Sequence, residues 1–206
     1  DRTSPAIDVR FSVADATDFA ARTGINTGKP VSIVIWTTTP WTLPANQAVA
    51  LGPEIRYGIY ELTDEVLVLA VELAASVFQR AKLEPGKLLA EVSGTQLEGV
   101  QLHHPFYERI VPVIVGDHVT LDAGTGAVHT APGHGADDYE MGRRYSLPID
   151  NPVGNDGRFL PGTPLFEGVK SLASLPSLAS RVAQGNTGFG VAPHRPLLDL
   201  SSAIVE

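Results

Sequence analysis

The sequence predicts an α+β fold with a β-barrel-like core, a closed or strongly curved sheet of many short strands with helices at its rim. Three observations carry this. Short apolar or alternating segments recur along the chain, separated by turn residues. Twenty glycines and 16 prolines in 206 residues imply many turns and short elements. Only three or four segments carry helical spacing, and no internal repeat or low-complexity run is present.

The elements follow in order. Asp8 to Val13 alternates and reads as a strand, and Asp15 to Arg22 as a short helix ended by Gly24. Val31-Ser32-Ile33-Val34-Ile35 is an apolar run with the character of a buried strand, continuing to Thr37. Gln47 to Leu51 and Tyr57 to Leu62 are strands, and Asp64-Glu65 is a hairpin turn into the strand Val66 to Ala70. Val71 to Lys82 is a helix, with apolar residues at 73, 74, 77, 78 and 81, closed by Pro85-Gly86. Leu88 to Val92, Gly99 to Leu102, Val111 to Val115, His118 to Leu121 and Thr125 to Thr130 are short strands, and Tyr139 to Tyr145 is a short helix. His103-His104-Pro105 is expected to end a strand at the surface. From Ser171 the character changes. Leu172, Leu175, Leu178, Ala179 and Val182 can line a helix face that Pro176 interrupts, and Gly185 to Gly190 is glycine-rich. A domain over 1–170 and a divergent segment over 171–206, a helix plus a loose tail, are therefore expected.

Composition narrows the function. The chain is 43% hydrophobic and 18% charged, ordinary for a globular protein. With no cysteine, disulfides and thiolate metal sites are impossible. No apolar run approaches the roughly 18 residues that span a membrane, and the first residues lack an apolar signal region. A cytoplasmic location, with no membrane partner, is the expectation. A net charge of −8 argues against duplex DNA bound on a broad basic face. It leaves room for a single-stranded nucleic-acid end read by stacking and a few local contacts.

Two segments concentrate chemistry. Trp36-Thr37-Thr38-Thr39-Pro40-Trp41-Thr42, followed by Leu43-Pro44-Ala45-Asn46, places four hydroxyls and two indoles in seven residues at the end of the apolar strand. Such a group suits a small site that hydrogen-bonds a substrate without adding charge; the plainer alternative is a threonine-rich strand end closed by a proline turn. The second runs from Gly124 to Glu140 and reads as strand, glycine loop, helix. Glycines at 124, 126, 133 and 135 permit close approach of a ligand to the backbone. Asp137, three residues before Glu140, is expected as N-cap of a capping box. Asp138 is then free to hold a cationic group such as an α-ammonium; alternatively it complements the helix dipole, worth a few tenths to about 1 kcal/mol. His129 is the candidate base by chemistry alone, or a hydrogen-bonded core residue. A metal site on His129, His134 and Asp137 is a third possibility, but the spacing matches no standard zinc pattern, and no metal or cofactor is expected. Without a nucleophile elbow, cysteine or Walker loop, hydrolysis would use water directly.

Together the two segments closely resemble the editing (connective peptide) domain of isoleucyl-tRNA synthetase, a class I aminoacyl-tRNA synthetase. Asp1 to Val9, Gly116 to Asp122, Asn151-Pro152-Val153-Gly154 and Leu160-Pro161-Gly162-Thr163 extend the likeness over about residues 1–170. The valyl and leucyl sister enzymes carry T-T-R-P where this chain has Thr37-Thr38-Thr39-Pro40. The resemblance implies the barrel-like fold these three editing domains share. It also implies hydrolysis of the ester of mischarged Val-tRNA(Ile), a second sieve needed because one methylene gives only about 1–3 kcal/mol of discrimination. By the same resemblance, Asp138 binds the α-amino group and His129 lines the side-chain pocket and helps exclude isoleucine. Thr37, Thr39 and Thr42 line the site and place the water and the terminal adenosine, with Thr38 beside them, and Trp36 and Trp41 frame it. Thr39, His129 and Asp138 are the expected catalytic group. The implied partners are the aminoacylated 3′ end of tRNA(Ile) and the rest of a synthetase. The synthetase signatures H-I-G-H and K-M-S-K-S are absent, so amino-acid activation is not expected of this chain, and residues from Ser171 depart from the family pattern. A 3′-end binding module without turnover is the alternative.

Overall fold

The computed structural model describes residues 6–170. The expectations for 171–206, and the first residues of the Asp1 to Val9 match, lie outside the described residues.

Strand β1 (Ile7–Val13) pairs antiparallel with β2 (Val31–Thr37), which pairs parallel with β5 (Val66–Ala70). Six further strands complete a mixed sheet: β3 (Ala48–Leu51), β4 (Arg56–Glu61), β6 (Lys87–Ser93), β7 (Gln101–His103), β8 (Ile110–Val115) and β9 (Ala127–Thr130). Their order is β6-β4-β5-β2-β1-β7-β8-β3-β9. The helices are α1 (Ala16–Thr23), α2 (Val71–Arg80), α3 (Gly94–Leu97) and α4 (Ala136–Arg144), with a 3₁₀ segment at Pro40–Ala45.

The sheet curls so that its last strand, β9, packs back against β2. Two hydrogen bonds hold the return. The Ala70 amide donates to the Thr125 carbonyl at 2.9 Å, and the buried Tyr57 hydroxyl donates to the Gly126 carbonyl. Glycine is required at 126. Its φ is +78°, and a Cβ there would lie 2.4 Å from that of Ala70. The curled sheet encloses the main core, with Val9, Phe11, Ile33, Ile35, Val49, Leu51 and Val68 inside it. Residues 151–170 close one side, where Phe159 and Phe166 are buried in the same core.

Strand β2 is central, which explains its continuous apolar run. Ile33, Ile35 and Thr37 share its inner face, while Val34 turns outward to Leu67, Leu69, Val77 and Phe78 beneath α2. The alternation of β1 hides two ions on its outer side. Asp8, fully buried, is held by Arg80 through two bonds of 2.8 Å, and Arg10 grips Glu65 through two more of 2.8 Å. Helix α1 starts where the Asp15 carboxylate accepts the amides of Thr17 and Asp18, and stops at Gly24 with φ +74°.

Four expectations need correction. His118 to Leu121 is not a strand: the chain turns at Asp117 and His118, none of the described strands pairs with it, and Val119 drops into a small cluster with Ala48, Ile114 and Met141. Gly99, at φ +86°, delays the next strand to Gln101. Helix α4 begins three residues before Tyr139, with Gly135 as an extended N-cap making no side-chain bond, so the Asp137 capping box does not form. His104 is 4% exposed rather than at the surface. Its Nδ1 accepts the Tyr107 amide at 3.1 Å, so Nε2 carries the proton donated to the Leu43 carbonyl at 3.0 Å. Burial lowers its pKa to about 3.

Candidate functional site

The hydroxyl-rich segment leaves the sheet at the end of β2 and tightens into the 3₁₀ turn. Pro40 at the first position pre-sets φ and needs no amide bond. The turn folds three threonine side chains toward one another. Thr37 Oγ1 accepts the Thr39 amide at 3.0 Å and lies 3.2 Å from Thr39 Oγ1. Thr39 Oγ1 is 3.5 Å from Thr42 Oγ1, which donates to the Thr39 carbonyl at 2.8 Å.

Strand β9 brings the second segment to the same place. His129 faces Val49 across the β3–β9 ladder, and its Nε2 lies 3.0 Å from Thr42 Oγ1. Because the Thr42 hydroxyl proton is committed to the Thr39 carbonyl, Nε2 carries the imidazole proton and donates it to Thr42. Nδ1 is then a bare acceptor, buried and without a partner among the described residues. Burial first, then the neighbouring His134, lowers the His129 pKa to about 4. The ring is neutral at physiological pH and a weak base.

Two residues beyond His129, the Ala131 amide donates to Asp138 Oδ2 at 2.8 Å. That bond fixes the carboxylate at the start of α4, on the third helical residue, where the helix dipole favours a negative charge. Burial raises the Asp138 pKa, opposed by the Ala131 bond and the His118 charge. A half-buried anion held by one backbone donor is suited to a cation that replaces the lost water.

The structure therefore joins Thr37, Thr39, Thr42 and His129 in one hydrogen-bonded chain and sets Asp138 at the end of the same strand. Thr38 is half-buried and makes no side-chain hydrogen bond among the described residues. Trp41 packs on the main core. Trp36 is on the opposite face of β2 from Thr37 and lies under Gly124, whose hypothetical Cβ would sit 3.1 Å from the indole. It supports the loop into β9 rather than facing the hydroxyls.

Asn46 was not singled out from the sequence, although it closes the first motif. It is fully buried, and its Nδ2 donates to the Ala48 carbonyl at 2.8 Å and to that of Thr130 at 3.5 Å. Its Oδ1, Thr130 Oγ1 and His129 Nδ1 are all buried without partners among the described residues. Such atoms are uncommon in folded proteins, and His129 Nδ1, at the end of the threonine chain, is a candidate acceptor for a ligand. Among the described residues no group of three or more His, Asp or Glu side chains is placed to hold a metal ion, so the alternative on His129, His134 and Asp137 lacks a ligand set. Nor is any described helix long and apolar enough to cross a membrane.

Comparison with known proteins matches residues 10–161 to the family model described as leucyl-tRNA synthetase, editing domain. Isoleucine–tRNA ligase of Methylococcus capsulatus is 60% identical over 177 residues, covering 83% of this chain and 19% of that protein. The enzyme of the same name from Alkalilimnicola ehrlichii is 49% identical over 199 residues, 95% of this chain and 21% of its own. Among solved structures, the cytosolic leucyl-tRNA synthetase editing domain of P. falciparum matches with a TM-score of 0.72 at 10% identity, covering 88% of this chain and 97% of that one. The structure titled GlLeuRS-CP1 matches with a TM-score of 0.67 at 16% identity, over 88% and 96%. At these identities the two structures speak for the fold alone. The chain spans about a fifth of the length of the curated relatives it matches.

Proposed function

Since this chain belongs to the synthetase editing-domain family, with a mixed nine-stranded sheet of that fold, we propose that it hydrolyses the ester of mischarged Val-tRNA(Ile). The observation that carries the reading is the buried Thr39–Thr42–His129 chain with the Asp138 carboxylate at the end of the same strand. An aminoacyl ester is already activated, so a placed water and support for the oxyanion suffice. Asp138 anchors the α-ammonium of the substrate. The Thr39 hydroxyl orients the water that attacks the carbonyl carbon; the tetrahedral oxyanion collapses, the C–O bond to the ribose breaks, and the leaving ribose oxygen takes up the proton that the attacking water gives up. His129 stays neutral, walls the side-chain pocket and excludes the larger isoleucine; a base with a pKa near 4 gains little by removing the water's proton. The partners in this reading are the aminoacylated 3′ end of tRNA(Ile) and the remainder of a synthetase, in the cytoplasm.

The test is deacylation of Val-tRNA(Ile) against Ile-tRNA(Ile) by the 206-residue chain. Preferential release of valine is expected, and valyl-ester loss no faster than in buffer would remove the reading for this chain. A second reading, 3′-end binding without turnover, draws on the net charge of −8, which leaves most tRNA contacts to another part of the enzyme. Binding of a non-hydrolysable valyl-adenosine analogue without turnover would favour it.

A further inference from the structure

Beside the threonine segment lies a polar hollow of about 210 Å³, lined in part by Pro44, Tyr107, Arg109, Asp150, Asn151 and Thr163. Arg109 is held in it from two sides. Its Nη1 donates to the Asn46 carbonyl at 2.7 Å, and its guanidinium lies 5.6 Å from the Tyr107 ring centroid. The Tyr107 ring in turn stacks on the buried His104 at 4.9 Å, and its hydroxyl donates to the Pro164 carbonyl at 3.0 Å. Arg10, Arg22, Arg56 and Arg80 all grip carboxylates, whereas Arg109 has no carboxylate partner among the described residues. The rest of its fork of N–H donors is thus unclaimed, on a side chain already immobilised, which is the state in which arginine binds phosphate at least entropic cost.

The location matters as much as the charge. Asn46 accepts Arg109 through its backbone and reaches the Thr130 carbonyl through its side chain, one residue from His129. Arg109 and the end of the His129 strand are thus tied to one buried residue, Asn46. The hollow is smaller than the roughly 300 Å³ at which sites for whole drug-sized ligands begin, so it fits one part of a nucleotide. It also contains the Asp150 carboxylate, which repels phosphate but accepts a hydrogen bond from a ribose hydroxyl, the group that distinguishes RNA from DNA.

We propose that this hollow takes the ribose-phosphate immediately 5′ of the terminal adenosine of the tRNA, with Arg109 on the phosphate and Asp150 on the ribose 2′-hydroxyl. The assignment rests on the reading of the chain as an aminoacyl-tRNA hydrolase. It explains how an acidic domain gains purchase on an RNA end, through one pre-held cation rather than a basic surface.

The experiment uses the 206-residue chain and a short fluorescent single-stranded RNA with the tRNA 3′ sequence, alongside deacylation of Val-tRNA(Ile) and of 3′-O-valyladenosine, which lacks the phosphate. Arg109→Gln is expected to weaken RNA binding about 10-fold. It should lower the slope of log affinity against log salt by about 0.7, the value for one phosphate contact on a single strand. The same variant should raise KM for Val-tRNA(Ile) while leaving valyladenosine hydrolysis unchanged. Asp150→Asn should weaken binding of the RNA but not of its 2′-deoxy counterpart. Equal losses on both esters, or an unchanged salt slope, would overturn the proposal and leave Arg109 as a brace for Asn46; so would no RNA binding by the unsubstituted chain. Arg109-dependent RNA binding with no hydrolysis of either ester would instead sink the hydrolase reading and leave this site standing.

Discussion

Two polar regions flank the central strands, and they differ in whether their hydrogen bonds close. On the outer face of β1, Asp8 and Arg80 form a two-pronged pair, and Arg80 also donates to the Gly124 carbonyl at 3.0 Å. At the far end, where β9 meets the 3₁₀ turn, the chain from Thr37 to His129 stops at His129 Nδ1, which has no partner among the described residues. Both regions are buried and both are rich in hydrogen-bonding groups. The Asp8–Arg80 pair spends its polar atoms on one another and on the Gly124 loop; the second region leaves the buried His129 Nδ1 without a partner among the described residues. Completeness of bonding separates that ion pair from the candidate site, although Arg10 Nη1 on the same outer face is also unpartnered among the described residues.

The contrast is broken most forcefully at Asp8. Asp8→Ala leaves the partly exposed Arg80 guanidinium without its carboxylate, and a loss of about 3 kcal/mol is expected, visible as a fall in Tm of roughly 10 °C. The specific activity of the fraction that remains folded should change little. Asp138→Asn should give the opposite pattern. It keeps an acceptor for the Ala131 amide but removes the charge, so deacylation should fall about 100-fold while Tm moves by no more than about 2 °C, a pair of readings that one melting curve and one rate series supply. Equal damage to stability and rate at Asp138 would show that the two regions are not distinct in kind.

Acid should act on the histidines next. The folded-state pKa values of His104 and His129, about 3 and about 4, lie below the unfolded value near 6.5. Both groups therefore hold their full stabilising effect above pH 6.5 and lose it as pH falls toward the folded values. Urea unfolding at pH 5 against pH 7.5 should show a loss of about 2 kcal/mol per histidine, and His129→Gln should remove one share of it. His129→Ala sharpens the comparison on the functional side, because widening the pocket should let Ile-tRNA(Ile) be cleaved; unchanged selectivity would count against the steric role. The smallest effect is expected at Thr42→Val. It strips the acceptor from His129 Nε2 and the donor from the Thr39 carbonyl at similar volume, for about 1–2 kcal/mol of stability and a modest loss of rate.

Much of the fold was legible in the chain. The run Val31 to Ile35 is buried on both faces, and so reads as a central strand whichever neighbours it has. The spacing in α2 matches the face that packs on Leu67 and Leu69. The misreadings share a cause. His118 to Leu121 alternates but pairs with none of the described strands, and pairing is a property of two segments. His104 reads as a surface residue from its neighbours, yet the Leu43 carbonyl and the Tyr107 amide, remote or out of register in sequence, satisfy both its nitrogens. Asp137 fits a capping box by spacing, but Gly135 had already started the helix. At the candidate site, hydroxyl density and loop chemistry marked the threonine segment, His129 and Asp138 as candidates, and the choice among the threonines came from the family resemblance. Asn46 was missed because its amide looks like a turn residue until Thr130 lies across from it.

What the sequence determined by itself was therefore what is local or compositional: the periods that make strands and helices, the absence of thiol chemistry, the acidic balance, and two motifs dense enough to mark the family. Tertiary structure alone decided which groups meet. Closing β9 onto β2 requires Gly126 to touch Ala70, and only that closure sets His129, 87 residues from Thr42, within 3.0 Å of its hydroxyl. It also turned Trp36 away from the threonines beside it and left Arg109 without a carboxylate partner among the described residues. Hydrogen bonds are directional and act over a few ångströms, so their partners follow from how the sheet curls and not from distance along the chain.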